Sequence, residues 1–158
     1  MAKREEYINW DEFFMFTAAV AAQRSKDPST QVGAVIVDDT KIISVGYNGM
    51  SIGISDDAGL WGKDNEDETK NKYMWVCHAE MNAITMSNRS CDGCKIYVTH
   101  FPCHECAKMI AQSGIKEIVY VNEWGMGKST HGVSGQLLNA ANVKITEYDG
   151  RETLTLNL

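Results

Sequence analysis

The stretch from Lys95 to Val121 reads KIYVTHFPCHECAKMIAQSGIKEIVYV and decides the fold. Lys95 to Thr99 is β-branched and aromatic, which predicts a buried strand. Cys103 to Ser113 has helical spacing and is followed by Gly114, a residue type that commonly ends helices. Ile118 to Val121 again predicts a strand. Because parallel strands need a crossover connection, this strand, helix and strand favour a parallel pair.

The remaining chain supplies further helices and strands on the same physical grounds. The predicted elements are helices over 10–24, 78–86 and 135–141, strands over 32–37, 42–47 and 143–148, and a long loop over 48–72. The short connection between the first two of these strands predicts a hairpin. We therefore expect an α/β fold, a three-layer α/β/α sandwich around a five-stranded mixed sheet, as a single domain over residues 1–158.

Composition excludes several classes of protein. The 158 residues carry a net charge of −6 and show no stripe of Lys and Arg, which disfavours binding to long nucleic acids. No apolar run approaches the roughly 20 residues that cross a membrane. Five cysteines without a secretory signal argue against a disulfide framework. We expect a cytoplasmic protein without nucleic-acid or membrane partners, in which cysteines bind metal or do chemistry.

Two short motifs carry the chemistry. His78 stands two residues before Glu80, and Cys103 stands three residues before Cys106. Imidazole and thiolates together suit zinc, and three protein ligands leave one position open for water, as catalytic zinc sites require. The two cysteines fall at a helix start, where unpaired N–H groups stabilise thiolates. At the first turn of its own helix, Glu80 reaches the same site and is the candidate proton shuttle.

A structural zinc site is the alternative reading of the cysteines. Cys91 and Cys94, taken with Cys103 and Cys106, match the spacing of a four-cysteine site. That reading leaves His78 and Glu80 without a reason for their spacing. Taken together, the His-x-Glu and Pro-Cys-x-x-Cys motifs are the signature of zinc nucleobase deaminases. We expect Glu80 to take a proton from water, pass it to cytosine N3, and later protonate the departing amine.

Several further blocks of the chain resemble the deoxycytidylate (dCMP) deaminase family. The resemblance runs in order from about Trp10 to Ala141, and the blocks that carry it are Ser25-Lys26-Asp27-Pro28, Gln31-Val32-Gly33-Ala34, Gly46-Tyr47-Asn48-Gly49-Met50, Val76 to Ile84, Phe101 to Lys108 and Gly114-Ile115-Lys116-Glu117. The zinc motifs indicate the superfamily, and the Gly-Tyr-Asn-Gly-Met block narrows the resemblance to this family. The resemblance implies hydrolytic deamination of dCMP to dUMP.

The resemblance also implies roles for individual residues. His78, Cys103 and Cys106 would hold Zn²⁺, and Glu80 would shuttle protons. The implied substrate-binding residues are Asn48 for the sugar, the backbone of Ala79 for the pyrimidine, and Phe101 and Pro102 in the same pocket. Tyr47, Gly49 and Met50 would belong to an effector site. Members of the family are typically homohexamers, activated by dCTP with Mg²⁺ and inhibited by dTTP.

Three departures from the family pattern bear on substrate and effector. Ser51 replaces a common proline, which we expect to loosen the effector turn. Trp124 falls near a substrate-contacting tyrosine of relatives and keeps a stacking face while replacing the hydroxyl with an indole N–H. Lys128 lies in a stretch that usually contains aspartate, and it is a candidate partner of substrate phosphate, including that of dCTP. Arg24 and Lys26 are further phosphate candidates, with ordinary solvated charges as the alternative.

The sequence leaves other functions open. The main enzymatic alternative is a deaminase that acts also or mainly on dCTP, or on a free nucleoside. An alternative of another class is a non-catalytic, zinc-stabilised regulator that binds nucleotides. The intact set of His78, Glu80, Cys103 and Cys106 argues against that regulator, because Glu80 has no structural duty. A nucleic-acid editing enzyme is disfavoured by the acidic charge.

Overall fold

A computed structural model describes residues 1–63, 66–123 and 128–155 of the chain, apart from the side chains of residues 128–131. Its helices are α1 (Trp10–Ala22), α2 (Ala79–Thr85), α3 (His104–Gln112) and α4 (Lys128–Ala140). Its strands are β1 (Gly33–Asp38), β2 (Lys41–Tyr47), β3 (Gly49–Met50), β4 (Val76–Cys77), β5 (Lys95–His100), β6 (Glu117–Asn122) and β7 (Lys144–Glu147). Two 3-10 turns, Glu68–Lys70 and Lys72–Met74, precede β4.

The main sheet has five strands in the order β2-β1-β5-β6-β7. β1 pairs antiparallel with both β2 and β5, while β5, β6 and β7 run parallel. The predicted hairpin and the predicted parallel half are both confirmed. In the parallel half, the carboxyl ends of β5 and β6 meet at one edge of the sheet.

One helix packs on one face of the main sheet and three pack on the other, and the strand side chains alternate between the two faces. Val35 and Val37 of β1 pack in a cluster with Phe14 of α1, whereas Ala34 and Ile36 pack in the cluster that contains residues of α2, α3 and α4. Successive residues of a strand point to opposite faces of the sheet, and here both faces are buried. The predicted three-layer sandwich is therefore confirmed. Within the described ranges, no helix is long and apolar enough to cross a membrane.

Element boundaries differ from the predictions where the sequence pattern is weak. α4 begins at Lys128 rather than Gly135, because its first two turns contain Ser129, Thr130 and Gly132, which lack the apolar spacing of a buried helix. The predicted loop over 48–72 contains β3 and both 3-10 turns. β3 and β4 form a separate two-stranded sheet, and strands of two residues are too short to show a period.

Two glycines let helices approach the sheet closely. A β-carbon on Gly33 would lie 1.9 Å from the carbonyl oxygen of Ala18 in α1. A β-carbon on Gly46 would lie 2.3 Å from the carbonyl oxygen of Ala79 and 2.4 Å from the amide nitrogen of Ala83 in α2. The absence of a side chain at Gly46 therefore sets how closely α2 lies against β2.

Candidate active site

The N-termini of α2 and α3 converge beside the carboxyl end of β5. His78 is the N-cap of α2, and Cys103 is the N-cap of α3. The Cys103 sulfur accepts a hydrogen bond from the amide of Cys106, at 3.5 Å. His78 makes no side-chain capping bond; its Nδ1 faces the sulfurs of Cys103 and Cys106 across the gap between the two helices.

The three predicted ligands come together in this gap. His78 Nδ1 lies 3.4 Å from the sulfur of Cys103 and 3.4 Å from the sulfur of Cys106. In a tetrahedral zinc site with bonds of about 2.0–2.3 Å, nitrogen and sulfur ligands stand about 3.5 Å apart. The spacing of the donor atoms and their chemistry therefore fit Zn²⁺. Within the described residues, this is the one group of His, Cys, Asp and Glu with metal-ligand spacing.

The protonation of the two thiols is coupled. A hydrogen bond with Cys106, aided by His78, lowers the pKa of Cys103 to about 4. The neighbouring Cys103 sulfur, burial and Glu80 raise the pKa of Cys106. A hydrogen bond with Cys103 raises the pKa of His78. The two thiols thus have pKa values shifted in opposite directions, and a divalent cation bound between them would favour the thiolate form of both.

Glu80 is the second residue of α2 and is almost fully buried, with 4% of its surface exposed. Burial is the largest cause of a raised pKa for this carboxyl, and the charge of His78 works in the opposite direction. A carboxyl whose pKa is raised above its ordinary value holds a proton more readily, which suits a group that both accepts and donates one. Its position beside the candidate metal ligands is the one that the sequence predicts for a proton shuttle.

A pocket opens beside Glu80 and the candidate metal ligands. Its lining includes Glu80, His78 and Cys103 together with Asn48, Ala79, His100 and Phe101. Phe101 packs edge-on against Tyr120, with ring centroids 4.8 Å apart. Pro102 is buried, and its carbonyl accepts a hydrogen bond from Ser134 Oγ at 2.8 Å. The chain thus brings Asn48, Ala79 and Phe101 to one pocket with the candidate catalytic group.

The side chain of Asn48 is already engaged by the protein. Its Oδ1 accepts a hydrogen bond from the amide of Val32 at 2.8 Å, and its Nδ2 donates to the carbonyl of Thr30 at 2.9 Å. Nδ2 also lies 3.4 Å from Asp27 Oδ2. An amide has two N–H donors and two oxygen lone pairs, so one lone pair of Oδ1 is left for a ligand that donates a hydrogen bond.

Asp27 and Lys72 line the same pocket, and the sequence reading gave neither a role there. Lys72 Nζ lies 2.7 Å and 2.6 Å from the two carboxylate oxygens of Asp27, and each side chain is 3% exposed. In the sequence, Asp27 stands out only as part of the Ser25-Lys26-Asp27-Pro28 block that resembles the deaminase family. Lys72 belongs to the predicted loop, where periodicity carries no information about contacts between residues distant in sequence.

Arg24 and Lys26, two of the phosphate candidates, do not line this pocket. Arg24 is exposed, and Lys26 pairs with Asp56 at the surface. Neither of these residues is among the pocket-lining residues in the described part of the chain. Trp124 lies outside the described residues, as does the side chain of Lys128.

The residues predicted for an effector site lie on and beside β3. Gly49 pairs with Cys77 and Met50 pairs with Val76, so this segment is joined directly to the strand that ends at His78. Tyr47 accepts a hydrogen bond on its carbonyl from Asn82 Nδ2 of α2, at 2.7 Å. Ser51, which we expect to loosen this turn, donates a hydrogen bond to the carbonyl of Trp75 at 3.2 Å.

The remaining cysteines are not part of the metal-spaced cluster found among the described residues. Cys91 and Cys94 are 5% and 2% exposed and belong to the apolar cluster between the sheet and α2, α3 and α4. Cys77 is half-buried, with its sulfur 3.2 Å from Ser51 Oγ. In the described part of the chain, Cys91 and Cys94 do not share metal-ligand spacing with Cys103 and Cys106, contrary to the four-cysteine alternative.

Comparison with known proteins assigns the chain to a family. The model of the cytidine and deoxycytidylate deaminase zinc-binding region matches residues 8–122, which contain every candidate ligand and Glu80. The chain belongs to this family.

Within the family, the chain is similar to proteins named deoxycytidylate deaminase. It is 46% identical to that of Homo sapiens over 149 residues, covering 92% of this chain and 83% of the human protein. It is 52% identical to that of Mus musculus over 124 residues, covering 77% of this chain and 69% of the mouse protein. The crystal structure of the dCMP deaminase of cyanophage S-TIM5 with dCMP and dUMP superposes with a TM-score of 0.71 at 31% identity, covering 87% and 95% of the two chains.

Proposed function

We propose that this chain is a zinc-dependent deaminase that hydrolyses dCMP to dUMP and ammonia, and so supplies dUMP for thymidylate synthesis. The observation that carries the proposal is the buried carboxyl of Glu80 beside a His/Cys/Cys cluster, with Glu80, His78 and Cys103 lining one pocket. The S-TIM5 relative, crystallised with dCMP and dUMP, supports the choice of substrate.

His78, Cys103 and Cys106 are the proposed ligands of Zn²⁺. Bound there, zinc would supply a Lewis acid that lowers the pKa of a water molecule toward about 7. The helix ends at His78 and Cys103 keep the donor atoms in place, because each residue is the N-cap of a packed helix.

Glu80 is the proposed acid and base at both stages of the reaction. Its carboxylate takes one proton from the attacking water and passes it to cytosine N3, while the water oxygen forms a bond to C4. The carboxylate then takes the second proton of that oxygen and delivers it to the amino nitrogen. The bond between C4 and this nitrogen breaks, ammonia leaves, and C4 becomes the carbonyl of dUMP. Burial keeps the pKa of Glu80 raised, which suits a group that must change its protonation twice.

The proposed substrate contacts follow the pocket lining. The free lone pair of Asn48 Oδ1 suits a sugar hydroxyl, and the backbone of Ala79, which lines the same pocket, is the proposed contact of the pyrimidine. Phe101 offers an apolar wall, and Pro102 supports the same segment. Trp124 and Lys128 remain predicted contacts of the base and the phosphate. Arg24 remains a phosphate candidate from the sequence, although it does not line the described pocket.

We extend the proposal to regulation by dCTP with Mg²⁺ as activator and dTTP as inhibitor. Tyr47, Gly49 and Met50 are the proposed effector-binding residues. Two contacts support this assignment: β3 pairs with β4 immediately before His78, and the carbonyl of Tyr47 binds Asn82 of α2. An effector that displaced β3 would therefore act on the segment that carries a proposed zinc ligand and on the helix that carries Glu80.

Assembly as a homohexamer in the cytoplasm completes the proposal. Phe13 and Val20 are seven residues apart on one face of α1, and they are 40% and 62% exposed. Apolar side chains exposed together on one helix face suit a contact between subunits. The thiols of Cys103 and Cys106 are free, as zinc ligation requires, and a reducing compartment keeps them so.

The test is ammonia release from dCMP, dCTP and deoxycytidine by the zinc-loaded protein, with and without dCTP or dTTP as effector. We expect turnover of dCMP that dCTP raises and dTTP lowers. Faster turnover of dCTP than of dCMP would replace the proposed substrate. A rate of dCMP turnover that neither triphosphate changes would contradict the proposed regulation but not the proposed deaminase activity.

A further inference from the structure

The buried ion pair between Lys72 and Asp27 has no part in the proton transfers assigned to Glu80. It joins the segment before β4 to the turn before β1, and both side chains line the pocket. Taking two charges out of water costs free energy that their attraction only partly returns, so a buried pair adds little to stability. A pair buried in the wall of a catalytic pocket therefore calls for another explanation.

Asp27 organises the turn that follows it. Its Oδ1 accepts hydrogen bonds from the amides of Ser29 at 2.8 Å and Thr30 at 3.2 Å. Its backbone carbonyl accepts one from Gln31 Nε2 at 2.5 Å. The two amide bonds to Oδ1 favour the charged carboxylate, and Lys72 supplies the opposite charge that makes its burial tolerable. The turn over 27–31 is thus built around a carboxylate that Lys72 neutralises.

This turn determines how the amide of Asn48 faces the pocket. The carbonyl of Thr30 can only accept and the amide of Val32 can only donate, so together they place Nδ2 toward Thr30 and Oδ1 toward Val32. The second Nδ2 proton points to Asp27 Oδ2. With both protons used, Asn48 meets a ligand only as an acceptor.

We propose that Lys72 and Asp27 are positioning residues that hold Asn48 as a hydrogen-bond acceptor and thereby select nucleotides with a free sugar hydroxyl. This inference rests on the proposed deaminase function. In dCMP the only free hydroxyl of the sugar is the 3′-OH, so the selected group is that hydroxyl. The backbone amide of Lys72 donates to the carbonyl of Gly62 at 2.8 Å, which anchors the residue from its own segment.

The test compares dCMP with 2′,3′-dideoxycytidine 5′-monophosphate, which lacks the 3′-OH. The variant is Lys72→Met with Asp27→Asn, which leaves no unpaired buried charge. The matched control carries the same substitutions on an exposed ion pair nearby, Lys70→Met with Asp67→Asn, whose side chains are 68% and 39% exposed. Zinc content and circular dichroism are recorded for each protein, so that kinetics are compared only between folded, loaded enzymes.

We expect the wild type to prefer dCMP by about tenfold in kcat/KM, the size of effect that one hydrogen bond gives. In the Lys72→Met, Asp27→Asn variant, kcat/KM for dCMP should fall to that of the dideoxy substrate, chiefly through KM. Any loss with the dideoxy substrate should be smaller than the loss with dCMP, so that the preference disappears, and the control should keep the full preference. A purely structural role would instead lower the rates with both substrates by the same factor.

Equal losses on both substrates, or an unchanged preference in the double variant, would overturn the inference. If the double variant does not fold, the same comparison of the two substrates is made with the Lys72→Arg variant. Its guanidinium keeps Asp27 paired, so a preference within about twofold of wild type is expected. A folded Lys72→Arg protein without the preference would count against positioning by this pair. A wild type that deaminates neither nucleotide overturns the proposed function itself, whereas the outcomes above concern only the ion pair.

Discussion

Gly46 of β2 lies directly under Ala79 of α2, so closely that a β-carbon at residue 46 would stand 2.3 Å from the carbonyl oxygen of Ala79. The helix that touches Gly46 carries Glu80 and follows His78. Packing therefore explains why the first residue of the Gly-Tyr-Asn-Gly-Met block is glycine: the lack of a side chain at Gly46 sets the distance between the candidate catalytic helix and the sheet.

Gly46→Ala should therefore destabilise the fold and lower activity together. The new methyl group meets backbone atoms rather than a flexible side chain, so we expect a loss of about 1–3 kcal/mol in the free energy of unfolding. Urea unfolding and ammonia release measure the two effects. Gly135→Ala is the control, since a β-carbon there meets nothing within 4 Å. It should leave activity intact and raise stability slightly by restricting the unfolded chain. Wild-type behaviour of Gly46→Ala would contradict this packing argument.

Cys103→Ala should abolish zinc binding, because two remaining ligands do not make a stable site. We expect about one zinc ion per chain in the wild type and almost none in this variant, measured by atomic emission after dialysis. Cys94→Ala is the control: this thiol is buried in the apolar cluster, away from the candidate ligands. Its zinc content should match the wild type. Retention of zinc by Cys103→Ala together with loss from Cys94→Ala would point to a different metal site.

Breaking the ion pair one partner at a time should cost more stability than removing both. Lys72→Met leaves the carboxylate of Asp27 buried without its cation, and we expect a loss of about 3–5 kcal/mol in the free energy of unfolding. Adding Asp27→Asn should restore most of that loss. Urea unfolding of the wild type, the two single variants and the double variant gives the coupling. Strictly additive losses would show that the two charges do not interact.

The stability of the wild type should fall with acid more steeply than that of the Lys72→Met, Asp27→Asn variant. Burial alone would raise the pKa of Asp27, but Lys72 and the amides of Ser29 and Thr30 outweigh it and lower that pKa below its ordinary value of about 3.9. A carboxyl with a lower pKa in the folded state contributes stability above its unfolded pKa and loses it as pH falls through the folded pKa. Urea midpoints from pH 7 to pH 3 measure the difference, and parallel curves for the two proteins would refute it.

Much of the fold was predictable because its elements are long and regular. Strands such as Lys95–His100 alternate between two buried faces, and α3 is marked by Pro102 before it and Gly114 after it. The candidate ligands were predictable for a different reason. Cys103 and Cys106 are one helical turn apart, so their spacing alone brings both to one point, and only imidazole and thiolate chemistry had to be added.

The sequence did not predict contacts that depend on irregular segments. Lys72 meets Asp27 across 45 positions of chain, from a 3-10 turn whose residues have no apolar period. The same holds for β3, whose two residues pair with β4 from the far side of a long loop. In both cases tertiary packing determines the contact, and the local pattern of apolar residues does not predict it.

The most direct test of the central claim is ammonia release from dCMP by the zinc-loaded wild type and by Glu80→Gln. Glutamine keeps the size of the side chain but neither takes nor gives the proton. We predict formation of dUMP by the wild type and a fall in kcat of about 10²–10⁴ in the variant, with zinc content and fold unchanged. A Glu80→Gln protein that deaminates dCMP at the wild-type rate, or a wild type that releases no ammonia, would contradict the account.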